Sequence, residues 1–214
     1  MRQPARPSSA LHQPLDHILG SPVLVRVLRV LAGHGGALSA GIVAQRAEVN
    51  RTAARNALYA LVEAGMAEPV GTGRSVFYRL RSDHPFAAPA AALFAAEADR
   101  VPRIMERVRR AAEAVKPRPR AVWLFGSVSR GEDRMQSDFD LALIGEGKEL
   151  EAQAEQLRDE LEEIAREHCI RPSVITLTEE EARGMARKGT EFWKNLDRDA
   201  IALVGDTPRR VVRG

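Results

Sequence analysis

Apolar positions follow a helical period through the first third of the chain and then change rhythm. From Ser21 onward, Val23, Val27, Leu28, Val30 and Leu31 share one side of a 3.6-residue spiral. Ser21 is placed to cap that helix, Pro22 takes its first position, and Gly33-His34-Gly35-Gly36 ends it. Ser39 caps a short second helix with Ile42, Val43 and Ala47 turned inward. Asn50 caps a third, from about Arg51 to Ala64, with Ala54, Leu58, Leu61 and Val62 inward and Gly65 closing it. Met66–Val70 and Ser75–Leu80 then read as strands around Gly71-Thr72-Gly73, a hairpin signal. An Ala-rich helical pattern runs from Pro85 to about Val115, until Lys116-Pro117-Arg118-Pro119-Arg120 breaks it.

The second half has a different order. Ala121–Phe125 is an apolar strand, followed by a Gly/Ser turn, a polar segment and a strand over Asp138–Ile144. Glu149–His168 is an amphipathic helix with Leu150, Leu157, Leu161 and Ile164 inward. Ser173–Leu177 is a third strand, and Thr178 with Glu181 forms a capping box for another helix. The fold class expected is α+β in two domains: an N-terminal winged helix-turn-helix and a C-terminal mixed sheet with helices packed against it. The expected divisions are a flexible tail over 1–20, the winged helix over 21–84, a helical linker over 85–117, the second domain over 118–206 and a basic tail over 207–214.

Charge sharpens this division. The 214 residues carry a net charge of +3, yet residues 1–120 hold 18 Lys/Arg against 9 Asp/Glu, and residues 121–214 hold 14 against 20. A half at +9 and a half at −6 point to different partners, the first a polyanion. The single cysteine, Cys169, excludes an intramolecular disulfide framework and a multi-cysteine zinc site. No apolar run approaches the roughly 20 residues a membrane span needs, and Met1–Pro14 lacks an apolar leader stretch. The expectation is a cytoplasmic protein without a membrane partner.

The densest chemistry lies in Phe125-Gly126-Ser127-Val128-Ser129-Arg130-Gly131 and Ser137-Asp138-Phe139-Asp140-Leu141. Alternation along a strand sends Asp138 and Asp140 the same way, and two neighbouring carboxylates repel unless a cation lies between them. A divalent ion such as Mg²⁺ takes oxygen ligands and leaves room for phosphate oxygens. Gly126 and Ser127, at a strand-to-helix turn, offer N–H groups and a hydroxyl to an anion. Arg130 is placed either to orient phosphate or to form a structural ion pair. Ser137 is expected to bond its own turn, and His168 and Cys169 to pack at a helix end.

Gly-Ser, two residues, Arg-Gly, then Ser-Asp-x-Asp-Leu resembles the nucleotidyltransferase superfamily that includes DNA polymerase beta, especially its minimal nucleotidyltransferase branch. The resemblance covers roughly residues 118–206 and extends to Phe192-Trp193 and Asp199-Ala200-Ile201 through Gly205. It implies that Gly126, Ser127 and Arg130 bind the phosphates of a nucleoside triphosphate and that Asp138 and Asp140 are catalytic and bind Mg²⁺ or Mn²⁺. The implied reaction moves a nucleoside monophosphate to a hydroxyl of a protein, nucleic acid or small molecule. The family places a third carboxylate on the next strand, where Ser173 stands here; serine is a neutral, weak ligand. The alternative reading is therefore a non-catalytic regulator whose degenerate domain senses nucleotide or meets another protein. Winged-helix regulators joined to such domains, and antitoxins among minimal nucleotidyltransferases, make a regulatory or toxin–antitoxin setting a suggestion of the same resemblance.

In the first domain, the outward face of the third helix carries Arg51, Thr52, Arg55, Asn56 and Tyr59, with Arg74 at the hairpin tip. Arg and Asn can read guanine and adenine, while Thr and Tyr suit phosphate, so double-stranded DNA is the expected partner. Arg103, Arg107, Arg109 and Arg110 either extend that footprint or dock the acidic half. The Ala-rich helix is a candidate homodimer surface.

Overall fold

The computed structural model describes residues 15–71, 76–134 and 137–213. Two compact units divide at Asp99/Arg100.

The first unit is helical with a small sheet. α1 (Leu15–Ile18) precedes α2 (Pro22–His34), where the Ser21 hydroxyl accepts from the Leu24 N–H and Gly35 closes the helix at φ 70°. β1 (Leu38–Ser39) leads to α3 (Ala40–Arg46), capped by Ser39, and α4 (Arg51–Glu63), capped by Asn50. β2 (Ala67–Val70) and β3 (Phe77–Leu80) are antiparallel, and β1 joins β3 on its other side, giving the order β1-β3-β2. Val27, Leu28 and Leu31 meet Val43, Leu58, Leu61 and Met66 in one core. At roughly 1.5–3 kcal/mol for each large apolar side chain buried, that core is what holds three short helices together. Ile42, expected inward, is exposed, because α3 is only two turns long and Val43 and Ala44 supply its buried side.

The second unit is a three-layer arrangement. α5 (Ala87–Ala114) starts in the first unit and ends in this one, followed by β4 (Ala121–Phe125), the short α6 (Gly126–Arg130) and β5 (Phe139–Gly145). A 3-10 turn leads into α7 (Leu150–His168), then β6 (Pro172–Thr178), α8 (Glu179–Lys188), α9 (Glu191–Asp199), β7 (Ile201–Gly205) and α10 (Pro208–Arg213). The sheet order is β6-β5-β4-β7, with β5 and β6 parallel and the other pairs antiparallel. Val122, Leu124, Leu141 and Leu143 bury one face against α5 and α7. Ala121, Trp123, Ala142, Ile144 and Leu177 bury the other against α8, α9 and α10. The expected capping box is present: Glu181 N–H donates to the Thr178 hydroxyl, and Glu181 accepts from the Thr178 N–H.

Four expected divisions are corrected by packing. Residues 1–20 are not all tail, since Ile18 is buried in the first core. Residues 85–117 are not a free linker: Phe94 belongs to the first core, and Ile104, Val108 and Ala112 belong to the second. The segment at Pro117 and Pro119 is therefore not the boundary. The expected tail over 207–214 is corrected as far as Arg213, because Pro208–Arg213 is helical and Val211 is fully buried beneath the sheet; Gly214 lies outside the described residues. The change alters the electrostatics. Residues 1–99 carry 10 Lys/Arg against 7 Asp/Glu, and residues 100–214 carry 22 against 22, so the units stand at +3 and zero. Most of the apparent basic half is the 100–120 stretch, which lies in the second unit.

No helix among the described residues is long and apolar enough to cross a membrane.

Candidate functional site

In the first unit, burial of Ala54, Ala57, Leu58 and Leu61 fixes the rotation of α4. Arg51, Thr52, Arg55, Asn56 and Tyr59 consequently stand exposed on its opposite side. The unit's arginines divide in two groups. Arg29 pairs with Glu97, Arg79 with Glu68 at 2.6 Å, and Arg81 with Asp83 at 2.7 Å. Among the described residues, Arg51 and Arg55 have no carboxylate partner, and Arg26 and Arg46 meet only the Glu48 carbonyl and His34. Tyr78 on β3 ties this face to the small sheet: burial and the neighbouring Tyr59 phenol push its hydroxyl above its ordinary value, while Arg55 acts oppositely. Arg74 lies outside the described residues.

The arginines of the second half of α5 are engaged within their own unit. Arg107 pairs with Glu167 and Glu163 on α7, Arg110 pairs with Glu106 at 2.9 Å, and Arg100 donates to the His168 carbonyl at 2.7 Å. Of the arginines expected either to extend a DNA footprint or to dock the acidic half, Arg107 reaches the acidic α7, whereas Arg109 and Arg110 pair with Glu106 on α5 itself.

In the second unit, one face of the sheet is apolar along almost its whole length and polar at one end. Ala121–Ile144 and Trp123–Ala142 are cross-strand pairs on that face, and the next pair is Phe125–Asp140. On the other side of β5, Asp140 is in register with Ser173. The sheet thus brings Asp140 and Ser173 side by side on adjacent strands, at the point where the buried layer gives out.

Gly126 sits directly against this position. Its φ is +80°, and a Cβ added there would stand 2.3 Å from Asp140 Oδ2. Both facts require glycine, because any side chain would strain the backbone and collide with the carboxylate. Gly126 itself begins the short α6, with Ser127 next, and Gly131 ends it at φ 68°. The Ser129 hydroxyl donates to the Gly126 carbonyl at 2.9 Å, closing the turn. Ser137 accepts from the Arg134 N–H at 2.8 Å, so it bonds its own turn as expected.

Asp138 is exposed and Asp140 half-buried. Neither carboxylate has a hydrogen-bond or ion-pair partner among the described residues. Burial, and then repulsion from Asp138, raises the Asp140 carboxyl above the usual carboxylate range. A pair of this kind fits a divalent cation: two hard oxygen donors, mutually repelling, with no protein cation between them. Ser173 adds a neutral oxygen beside Asp140. Among the described residues, no three His, Cys, Asp or Glu side chains come together as a metal site.

Arg130 is paired with carboxylates other than Asp138 and Asp140. Its Nε donates to Glu132 at 2.7 Å and its Nη1 lies 3.5 Å from Asp199 Oδ2. Sequence reasoning did not single out Glu132 and named Asp199 only within a resembling segment; only proximity across the fold connects Asp199 to the turn. His168 packs beside Arg107, whereas Cys169, expected to pack, is exposed because it takes the left-handed position ending α7 at φ 52°.

Residues 110–188 match the family model for polymerase beta, nucleotidyltransferase, and residues 23–71 match that for the IclR helix-turn-helix domain. No curated protein matches the chain. Among solved structures, a mutant MntA–HpeT toxin–antitoxin and a toxin–antitoxin with AMP-PNP are each 13% identical, covering 51% of this chain and 81% of theirs at TM-score 0.37. PigF with SAH is 16% identical and covers 84% of this chain and 64% of its own at TM-score 0.26. Likenesses of that size say nothing about what this chain binds. The chain carries an IclR-type helix-turn-helix domain followed by a nucleotidyltransferase domain of the polymerase beta type.

Proposed function

We propose that this chain is a cytoplasmic DNA-binding protein whose second domain binds a nucleoside triphosphate with Mg²⁺ or Mn²⁺ at Gly126, Ser127, Asp138 and Asp140. The observation that carries the reading is Asp140, unpartnered like Asp138 two residues before it, set directly against Gly126 at its positive φ. Asp138 and Asp140 would hold the cation, which supplies charge neutralisation for the phosphates and for a leaving pyrophosphate. The N–H groups of the Gly126–Ser127 turn and the Ser127 hydroxyl would bind and orient phosphate oxygens, as short Gly/Ser turns do elsewhere. Double-stranded DNA is the partner assigned to α4, where Arg51, Arg55 and Asn56 are the base-reading candidates and Thr52 and Tyr59 suit phosphate.

The reaction open to such a site is nucleotidyl transfer. The oxygen of an acceptor hydroxyl forms a bond to the α-phosphorus, the bond to pyrophosphate breaks, and the hydroxyl proton leaves to solvent or a base. Ser173 supports a second reading, in which the domain holds nucleotide without efficient transfer, since the strand position beside Asp140 lacks both a charge and a base at neutral pH. Incubation with Mg²⁺, α-labelled nucleoside triphosphates and protein, nucleic-acid and small-molecule acceptors separates them. Transfer by the native chain, lost on Asp138→Ala/Asp140→Ala, establishes the enzyme. Saturable binding without transfer across the panel establishes the sensor, and absence of binding rejects both.

A further inference from the structure

α9 touches the Gly126 turn at both of its ends. Phe192, at the start of α9, meets Phe125 edge-on, with ring centroids 5.7 Å apart and an interplanar angle of 89°. Asp199, at the end of α9, reaches Arg130, whose Nη1 lies 3.5 Å from its Oδ2. Phe125 immediately precedes Gly126, and Arg130 is the last residue of α6. Seven residues separate Phe192 from Asp199, about 10 Å along a helix, so one helix face spans the whole turn. α9 is itself anchored beneath the sheet by buried Trp193 and Leu196, and Thr190 caps it.

The commitments of Arg130 point the same way. Two of its three guanidinium nitrogens face carboxylates, those of Glu132 and Asp199. The Asp199 side chain is only 11% exposed, and Arg198 holds its two oxygens at 2.7 and 2.8 Å. An arginine between two carboxylates, one nearly buried and itself held in place, is fastened to the protein. Turning the whole guanidinium toward a phosphate would cost it these two carboxylate contacts, since only Nη2 is uncommitted among the described residues.

We propose that α9 is a positioning clamp for the nucleotide-binding turn, and that Arg130 acts as its strut through Asp199, not as a phosphate ligand. The clamp holds Gly126 against Asp140, the close approach on which the site depends. Part of this assignment rests on the nucleotide-binding reading above; the fastening of the turn does not.

Hydrogen exchange of the full chain without nucleotide tests the fastening. Asp199→Asn is expected to speed exchange of the amides in 126–131 while leaving β4 and β5 unchanged, and Asp199→Glu, which keeps the carboxylate, is expected to retain native protection. Unchanged protection of 126–131 in folded Asp199→Asn overturns the clamp. Titration with Mg-ATP tests the consequence. Asp199→Asn and Arg130→Ala are each expected to lose affinity on the order of tenfold, as supporting contacts around a site do, and the double variant to lose no more than either. A native-like affinity in Asp199→Asn beside a large loss in Arg130→Ala overturns the strut and puts the guanidinium on phosphate. If the native chain binds no Mg-ATP, the nucleotide reading fails while the exchange result still decides the clamp.

Discussion

The two units leave opposite charges uncompensated. In the first, Arg29, Arg79 and Arg81 are paired with carboxylates, while Arg51 and Arg55 on the exposed face of α4 have none among the described residues. In the second, Glu167, Glu179 and Asp199 are each answered by an arginine, while Asp138 and Asp140 have no cationic partner among the described residues. Charge that the fold does not answer internally is available to a partner, positive charge for a polyanion and a pair of carboxylates for a metal ion. Net charge hides this, since the units sum to only +3 and zero. What distinguishes them is where the pairing fails.

The contrast can be broken most strongly on α4. Arg55→Ala is expected to weaken specific DNA binding by about 1–3 kcal/mol and relax preference at one base position. A gel-shift titration with a selected operator that shows unchanged affinity and preference removes Arg55 from base reading. Next in size is Ser173→Asp, which adds a carboxylate in register with Asp140. It is expected to tighten Mn²⁺ binding on the order of tenfold, because affinity at such sites follows ligand charge. No gain in a calorimetric titration means that the strand register does not bring position 173 to the cation.

The smallest effect concerns stability. Because the Asp140 carboxyl is raised in the folded chain, its ionised form costs stability above its folded value, and that cost is gone below the ordinary carboxylate range. Asp140→Asn is therefore expected to melt higher than the native chain at pH 7, with the gap closing as pH falls to about 4. A gap that stays constant across those melting curves contradicts the raised Asp140 carboxyl that burial, and then repulsion from Asp138, produce.

Local chemistry was legible before any coordinates. Ser21, Ser39, Asn50 and Thr178 all cap helices where expected, because a cap depends on residues three positions apart. The Gly-Ser and Asp-x-Asp elements were legible for the same reason. What escaped was set by partners distant in sequence. A helical pattern over Ala87–Ala114 says that a helix forms, but not that Phe94 and Ile104 enter different cores. β7 has no simple alternation, and β1 is two residues that become a strand only by pairing with β3. Asp199 was legible only as part of a segment resembling the family, and its contact with Arg130, 69 positions away in sequence, was not.

Asp138 and Asp140 are proposed to hold the divalent cation that accompanies a bound nucleotide. Calorimetric titration of the full chain with ATP, with and without Mg²⁺, tests it most directly. The account predicts saturable binding that requires Mg²⁺ and falls by about two orders of magnitude or more in Asp138→Ala/Asp140→Ala, as loss of metal ligands entails. Binding that is equally tight without the metal, or unchanged in the double variant, would contradict it.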